Sequence, residues 1–201
     1  MQTIKQYFDL SARTLNLVEM PSNMAKNSIQ EYISLKGADD FQQFYNRNLM
    51  TVFRYIYGLH GGPIEEVEDL TAETFLRAWK SRHQFLGSES AGLGWLLKIA
   101  RNLIIDAHRC QKRRGYPEDI EKHIVQSNLQ NPEQQVMTQE QIRTLWSLLN
   151  TLSDLQREIL VLRYLLGWRV QDIGNHLGVK ENTVSVYISR AIKRIRREWP
   201  G

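Results

Sequence analysis

The chain has 201 residues, with 26 Lys+Arg against 22 Asp+Glu (formal net charge +4), 42% hydrophobic and 24% charged residues. That length allows one or two domains and a core without staples, and the ordinary apolar content excludes wholesale disorder. Its single cysteine, Cys110, excludes an internal disulfide framework and any multi-cysteine metal site.

No stretch of about 18 apolar residues marks a membrane span. The richest one, Ile159 to Trp168, is broken by Arg163. The first residues lack the basic-then-apolar order of a signal peptide. A soluble, cytoplasmic chain without membrane insertion is expected, in a compartment that keeps thiols reduced.

Charge is unevenly placed. Residues 1–100 carry a net −1 and residues 101–201 a net +5. The positives cluster at Arg109, Lys112, Arg113 and Arg114, and again at Arg190, Lys193, Arg194, Arg196 and Arg197. Between them, residues 115–140 hold five acids and a single lysine. An acidic block stands at Glu65, Glu66, Glu68, Asp69 and Glu73. Phosphate binding needs clustered rather than total charge, which gives the two basic blocks their interest.

Residues 1–38 are polar, with a Pro21-Ser22-Asn23 break, and read as a loosely attached lead, either disordered or regulatory. From Asp39 and Asp40, Phe41, Phe44, Tyr45, Leu49, Val52, Phe53 and Ile56 recur at helical spacing until Gly58 to Pro63. A second helix is expected from about Glu65 to Phe85, its apolar set being Val67, Leu70, Phe75, Leu76 and Trp79. Gly87 to Gly94 reads as a small polar loop, and a third helix as running from about Trp95 to Arg113. These make one helical domain, 39–114. Residues 115–130 form an acidic, flexible linker. Asn131-Pro132-Glu133-Gln134 is a helix start with proline at the first helical position, and Ser153-Asp154-Leu155-Gln156 is a capping box. Two short helices, about 170–177 and 182–198, complete a second helical domain, 131–199. The expected class is all-α, with no convincing alternating strand.

The strongest local signal runs from Val170 to Ile188. Ile173, Leu177, Val179, Val184 and Ile188 are spaced as the core of a helix-turn-helix, with Gly178 at the turn. In that geometry the second helix enters the major groove and its early residues meet base edges. Asn182, Thr183, Ser185 and Tyr187 are placed to hydrogen-bond there, and Arg190, Lys193 and Arg194 to meet phosphates.

Two motif sets in order then carry a resemblance. One is Glu68-Asp69-Leu70-Thr71-Ala72-Glu73-Thr74-Phe75-Leu76-Arg77-Ala78-Trp79 with Trp95-Leu96-Leu97-Lys98-Ile99-Ala100-Arg101-Asn102-Leu103-Ile104-Ile105-Asp106. The other is Leu155-Gln156-Arg157-Glu158-Ile159-Leu160 through Arg194. Over about residues 39–198 the chain resembles the small extracytoplasmic-function (ECF) sigma factors of the sigma-70 family. The resemblance implies a region-two-like front domain and a region-four-like back domain.

It implies that Asp69, Leu70, Glu73, Phe75 and Leu76 dock on core RNA polymerase. It implies that Ser88, Glu89 and Ser90 face the minus-ten promoter element, where a flipped base is captured. Arg101, Asn102, Arg109, Lys112 and Arg113 would hold phosphates nearby, and Lys180 would join Asn182, Thr183, Ser185, Tyr187 and Arg190 at the minus-thirty-five element. It also implies an anti-sigma partner. The chain departs from the family pattern at Ala72, Gly92 and Gly94-Trp95, and at Lys180 and the Ser185-Val186-Tyr187 stretch of the recognition helix.

Two other function classes compete. A helix-turn-helix regulator with a sensory or dimerising front domain would share the back half, but would not need a basic third helix beside a polar loop. An enzyme would need a carboxylate cluster, a metal site or an activated nucleophile. His60, His83, His108, His123 and His176 are scattered and the acids at 65–73 lack a partner motif. No catalytic residue, metal or cofactor is expected.

Overall fold

A computed structural model describes residues 32–61, 63–113 and 139–199. The acidic linker, the Asn131-Pro132 helix start and Arg114 lie outside the described residues, as do the side chains of Lys112 and Ile142.

Among the described residues seven α-helices follow in chain order: α1 (Ala38–His60), α2 (Ile64–Ser81), α3 (Glu89–Arg113), α4 (Gln139–Asn150), α5 (Asp154–Leu160), α6 (Val170–Leu177) and α7 (Glu181–Glu198). Each of the longer ones has an apolar stripe at helical spacing. On α1 that stripe places Phe44, Val52, Tyr55 and Ile56 at 0% exposure. The three front helices pack on one another around these residues. Phe41 meets the edge of Trp79 at 5.1 Å between ring centroids, and Tyr45 meets Phe75 at 4.6 Å. Thr71 and Thr74 are buried on α2, and each hydroxyl donates to the carbonyl four residues back. That bond satisfies a polar group that burial would otherwise penalise.

The front half differs from expectation in three places. α2 stops at Ser81, and a single 3-10 turn (Arg82–Gln84) replaces its expected last turn. The expected loop at Gly87 to Gly94 is instead a short strand, β2 (Leu86–Ser88), followed directly by the first turns of α3. Ser88 Oγ accepts from the Ala91 N–H, so a serine cap starts the helix six residues before Trp95. The third difference is β1 (Tyr32–Ser34), which pairs antiparallel with β2 in the register Ile33 opposite Gly87. Leu35, next to β1, is 1% exposed. Residues assigned to the lead thus contribute a strand and a core side chain.

Glycine explains the close packing here. A Cβ at Gly92 would lie 2.8 Å from the Phe44 ring. The glycines that make this stretch look like a loop let α3 approach α1.

In the back half the capping box forms as expected: Ser153 Oγ accepts from Gln156 N–H, and Gln156 Oε1 accepts from Ser153 N–H. α5 continues into a π turn (Val161–Leu165). α6 ends at Gly178, whose φ of +69° is the left-handed conformation that glycine adopts without a Cβ penalty. Ile173 and Val184 are fully buried across that turn, while Leu177, Val179 and Ile188 pack at the edge of the core.

The two halves share one contiguous apolar core. The C-terminal half of α1 lies against the π turn, so close that a Cβ at Gly58 would sit 2.9 Å from Val161 Cγ2. Trp146 of α4 meets the edge of Tyr57 at 5.6 Å and covers Gly61, the left-handed residue that ends α1.

Candidate nucleic-acid interface and polymerase-docking face

α2 begins with Glu65 and Glu66 and carries Glu68, Asp69 and Glu73 further along. Acids suit the positive end of a helix dipole, so Glu65 and Glu66 in the first turn favour α2, while the acids further along charge its surface. Glu66 is engaged internally: its carboxylate lies 2.9 Å from Nε2 of the buried His60. Glu73 pairs with Arg77 at 2.7 Å on the exposed face. Asp69 is exposed, and Leu76, at 45%, is one of the few large apolar side chains that face solvent. Phe75 is 4% exposed and packed on Tyr45. Of the five expected docking residues, Asp69, Glu73, Leu76 and the partly buried Leu70 offer surface. Phe75 shapes that surface from within.

Ser88, Glu89 and Ser90 lie at the junction of β2 and α3. Ser88 caps the helix and its hydroxyl lies 3.0 Å from that of Ser90; Glu89 pairs with Arg47 of α1 at 2.9 Å. Beside them Phe85 and Trp95 stack at 5.1 Å with planes 27° apart. This aromatic pair is not adjacent in sequence, so the Gly94-Trp95 dipeptide hid it. Arg82 lies over the Trp79 ring at 3.4 Å and holds the turn before β2.

Along α3, Asn102, Arg109 and Arg113 are exposed, and spacings of seven and four put them on one face. Arg113 Nε donates to the Arg109 carbonyl. Arg101 is not brought together with them. It turns toward the back half, where its Nε donates to Glu158 Oε2 at 2.7 Å. Burial acts to lower the Arg101 pKa, but the Glu158 carboxylate, with smaller contributions from Tyr55 and Asp154, more than offsets this and the net shift is upward.

Glu158 was hidden in the sequence and is 1% exposed. Its other oxygen accepts from Tyr55 Oη at 2.6 Å. Burial first, then the Glu158 charge, raises the tyrosine pKa well above 10. A signal did exist: Glu158 follows Leu155 and precedes Leu162 at spacings of three and four, and Tyr55 shares the Val52–Ile56 stripe. Polar groups on two apolar stripes are candidates to meet.

The helix-turn-helix presents α7 as expected. Lys180, Asn182, Ser185, Val186 and Arg190 are exposed, whereas Val184, Ala191, Ile192 and Ile195 are buried on the opposite face. Thr183 and Tyr187 lie at the boundary, and Tyr187 packs against the core as well as facing out. The turn itself rests on Gly174: a Cβ there would lie 2.8 Å from the Val179 carbonyl oxygen. Further along α7, Glu198 pairs with Arg194 and Arg197, and its pKa is lowered chiefly by the Arg197 hydrogen bond.

His176 of α6 lies between the halves. Its imidazole meets the edge of Trp168 at 5.2 Å, and a Cβ at Gly94 would sit 3.4 Å from its Nδ1. Burial first, then Lys98 and Arg101, pull its pKa down from 6.5 to about 4.

Among the described residues no three His, Cys, Asp or Glu side chains group to hold a metal ion, and no helix is long and apolar enough to cross a membrane.

Comparison with known proteins agrees with this geometry. The family described as sigma-70 region 2 matches residues 44–114, and sigma-70 region 4 matches residues 142–195. The chain is 31% identical over 163 residues to the ECF RNA polymerase sigma factor BldN of Streptomyces coelicolor, covering 81% of this chain and 61% of that protein. It is 33% identical over 134 residues to a probable RNA polymerase sigma factor, RfaY, of Xanthomonas campestris, covering 65% of this chain and 33% of that protein. The chain thus spans about three-fifths and one-third of the lengths of these two relatives. A solved structure of the sigma factor RpoE in complex with the anti-sigma factor NepR from Bartonella quintana superposes with a TM-score of 0.60 at 25% identity, covering 80% of this chain and 97% of that one. With both regions matched in order on the helices that the residues themselves build, the chain belongs to the sigma-70 family, in its extracytoplasmic-function branch.

Proposed function

We propose that the protein is a promoter-specificity factor: it binds core RNA polymerase, directs it to particular promoters and assists strand opening. The observation that carries this reading is the ordered pair of matches, region 2 on the α1–α3 unit and region 4 on the helix-turn-helix. The exposed acidic and apolar face of α2 suits a basic, partly apolar docking site, where charge complementarity sets orientation and on-rate more than affinity. Asn102, Arg109 and Arg113, with Lys112, supply phosphate contacts near the minus-ten element, and Lys180, Asn182, Ser185 and Arg190 face duplex DNA at the minus-thirty-five element.

The protein acts without catalysis of its own, in the cytoplasm, where polymerase and promoters are. An anti-sigma partner follows from the RpoE–NepR relative and would cover these same surfaces.

The test is run-off transcription with purified core polymerase across a promoter library, alongside co-purification with core. Promoter-dependent transcripts that require the chain are expected. Duplex binding without polymerase binding would instead make it a conventional helix-turn-helix regulator. The charge reversal Arg113→Glu with Arg114→Glu separates the two surfaces, abolishing promoter affinity while polymerase still binds.

A further inference from the structure

The contact between the halves is built around a charge that burial penalises. Glu158 sits on α5 at 1% exposure, and each of its oxygens takes one donor from the front half, Tyr55 Oη and Arg101 Nε. A buried carboxylate is tolerated only when paired and hydrogen-bonded, and losing either partner exposes that penalty. Around it, Arg157 Nη1 donates to the Leu59 carbonyl at 3.4 Å, and His176 rests on α3 at Gly94, beside Lys98 and Arg101. The back half therefore covers part of the helix that carries Trp95: His176 of the helix-turn-helix rests at Gly94, and Glu158 of α5 occupies Arg101.

This arrangement is incompatible with reading two separated promoter elements at once. Elements centred about 25 base pairs apart, at about 3.4 Å per pair, lie roughly 85 Å from one another on straight DNA. The halves are instead in van der Waals contact. The 25 residues between Arg113 and Gln139 have an extended reach of at most about 85–90 Å, so the chain is long enough for the halves to separate.

We propose that Glu158 is an interdomain latch: by binding Tyr55 and Arg101 it holds the free protein closed with part of its DNA-binding face occupied, and promoter engagement requires its release. This rests on the functional reading above. Arg101 exchanges one anionic partner for another, the Glu158 carboxylate in the closed state and a DNA phosphate in the open one. The exchange keeps its charge paired throughout.

The experiment uses the full chain and two variants. In Glu158→Gln one oxygen becomes an amide nitrogen, so two donors compete for a single acceptor and the attraction for Arg101 is lost. Tyr55→Phe removes one hydrogen bond and leaves the ion pair. Circular dichroism checks helix content, small-angle scattering measures the radius of gyration, and anisotropy measures affinity for a fluorescein-labelled 30-base-pair random duplex with a central single-stranded bubble. Core-polymerase pull-down is run in parallel.

With helix content unchanged, Glu158→Gln is expected to raise the radius of gyration by several ångströms and tighten DNA binding at least tenfold, with Tyr55→Phe intermediate. A variant that stays compact, or one that expands without tighter binding, overturns the latch while polymerase pull-down leaves the functional reading standing. If Glu158→Gln loses helix content, Tyr55→Phe decides alone, and DNA binding equal to that of the unaltered chain refutes the proposal. Failure of every form to bind core polymerase overturns the functional reading and the latch with it.

Discussion

Gly174→Ala sets local propensity against tertiary geometry. Within a helix, alanine is favoured over glycine by up to about 1 kcal/mol, so the sequence alone argues for a gain in stability. The structure argues for a loss. A Cβ at position 174 would stand 2.8 Å from the Val179 carbonyl oxygen, whereas ordinary contact begins near 3.4 Å. The offended atom is backbone, and the Val179 N–H is itself bonded to the Gly174 carbonyl at 3.0 Å, so it cannot swing aside as a side chain would. Overpacking of this kind costs about 1–3 kcal/mol, which leaves a net loss of up to about 2 kcal/mol after the propensity gain. Relief requires the turn to open, and that re-aims α7.

Gly178→Ala is the comparison. Its φ of +69° penalises a Cβ by about 1–2 kcal/mol, yet nothing lies within 4 Å. Both variants should lose similar stability in urea titration. Only Gly174→Ala should also lose about tenfold in affinity for a promoter duplex, with core-polymerase binding retained. A Gly174→Ala protein as stable as the unaltered chain, binding duplex equally well, would refute the steric argument.

Three further outcomes follow from named contacts. Gly92→Ala drives a methyl to within 2.8 Å of the Phe44 ring and should destabilise the front half by about 1–3 kcal/mol, read as a lower urea midpoint. Trp146→Ala empties a site 2% exposed that covers Gly61 and Tyr57; a loss of about 3–5 kcal/mol is expected in the same assay. His176 has its pKa lowered to about 4, so the contact it makes is fully present above the ordinary 6.5 and lost as pH falls toward 4. Its NMR titration midpoint should lie near 4, and His176→Gln should flatten the dependence of Tm on pH between 6.5 and 4; an unperturbed midpoint would contradict the burial described.

What the sequence disclosed depended on how local the deciding interactions were. The capping box at Ser153 was legible because its hydrogen bonds close within three residues. The helix-turn-helix was legible because Ile173, Gly178 and Val184 carry its spacing within a dozen positions. The start of α3 was not, because glycine and serine read as loop formers. The gain that offsets their poor propensity is the close packing of Gly92 on Phe44, with Ser88 as cap. β1 was invisible for a related reason: three residues have no periodicity to detect, and their partner strand lies more than fifty positions away.

The same division holds for the candidate surfaces. Composition, charge blocks and helical spacing determined by themselves an all-α chain, two helical units in order and a helix-turn-helix, while the docking role of the second helix came only from the family resemblance. These are properties of single helices, and a helix writes its exposed and buried faces into its own sequence. Which charges remain available was decided only by the tertiary structure. Arg101 and Asn102 are neighbours in the sequence, yet one binds Glu158 across the molecule and the other faces solvent. The phenol of Tyr55 and the carboxylate of Glu158 meet across 103 positions because two apolar stripes, each unable to bury itself alone, cover one another. Burial then makes their polar groups depend on each other, and no single helix carries that information.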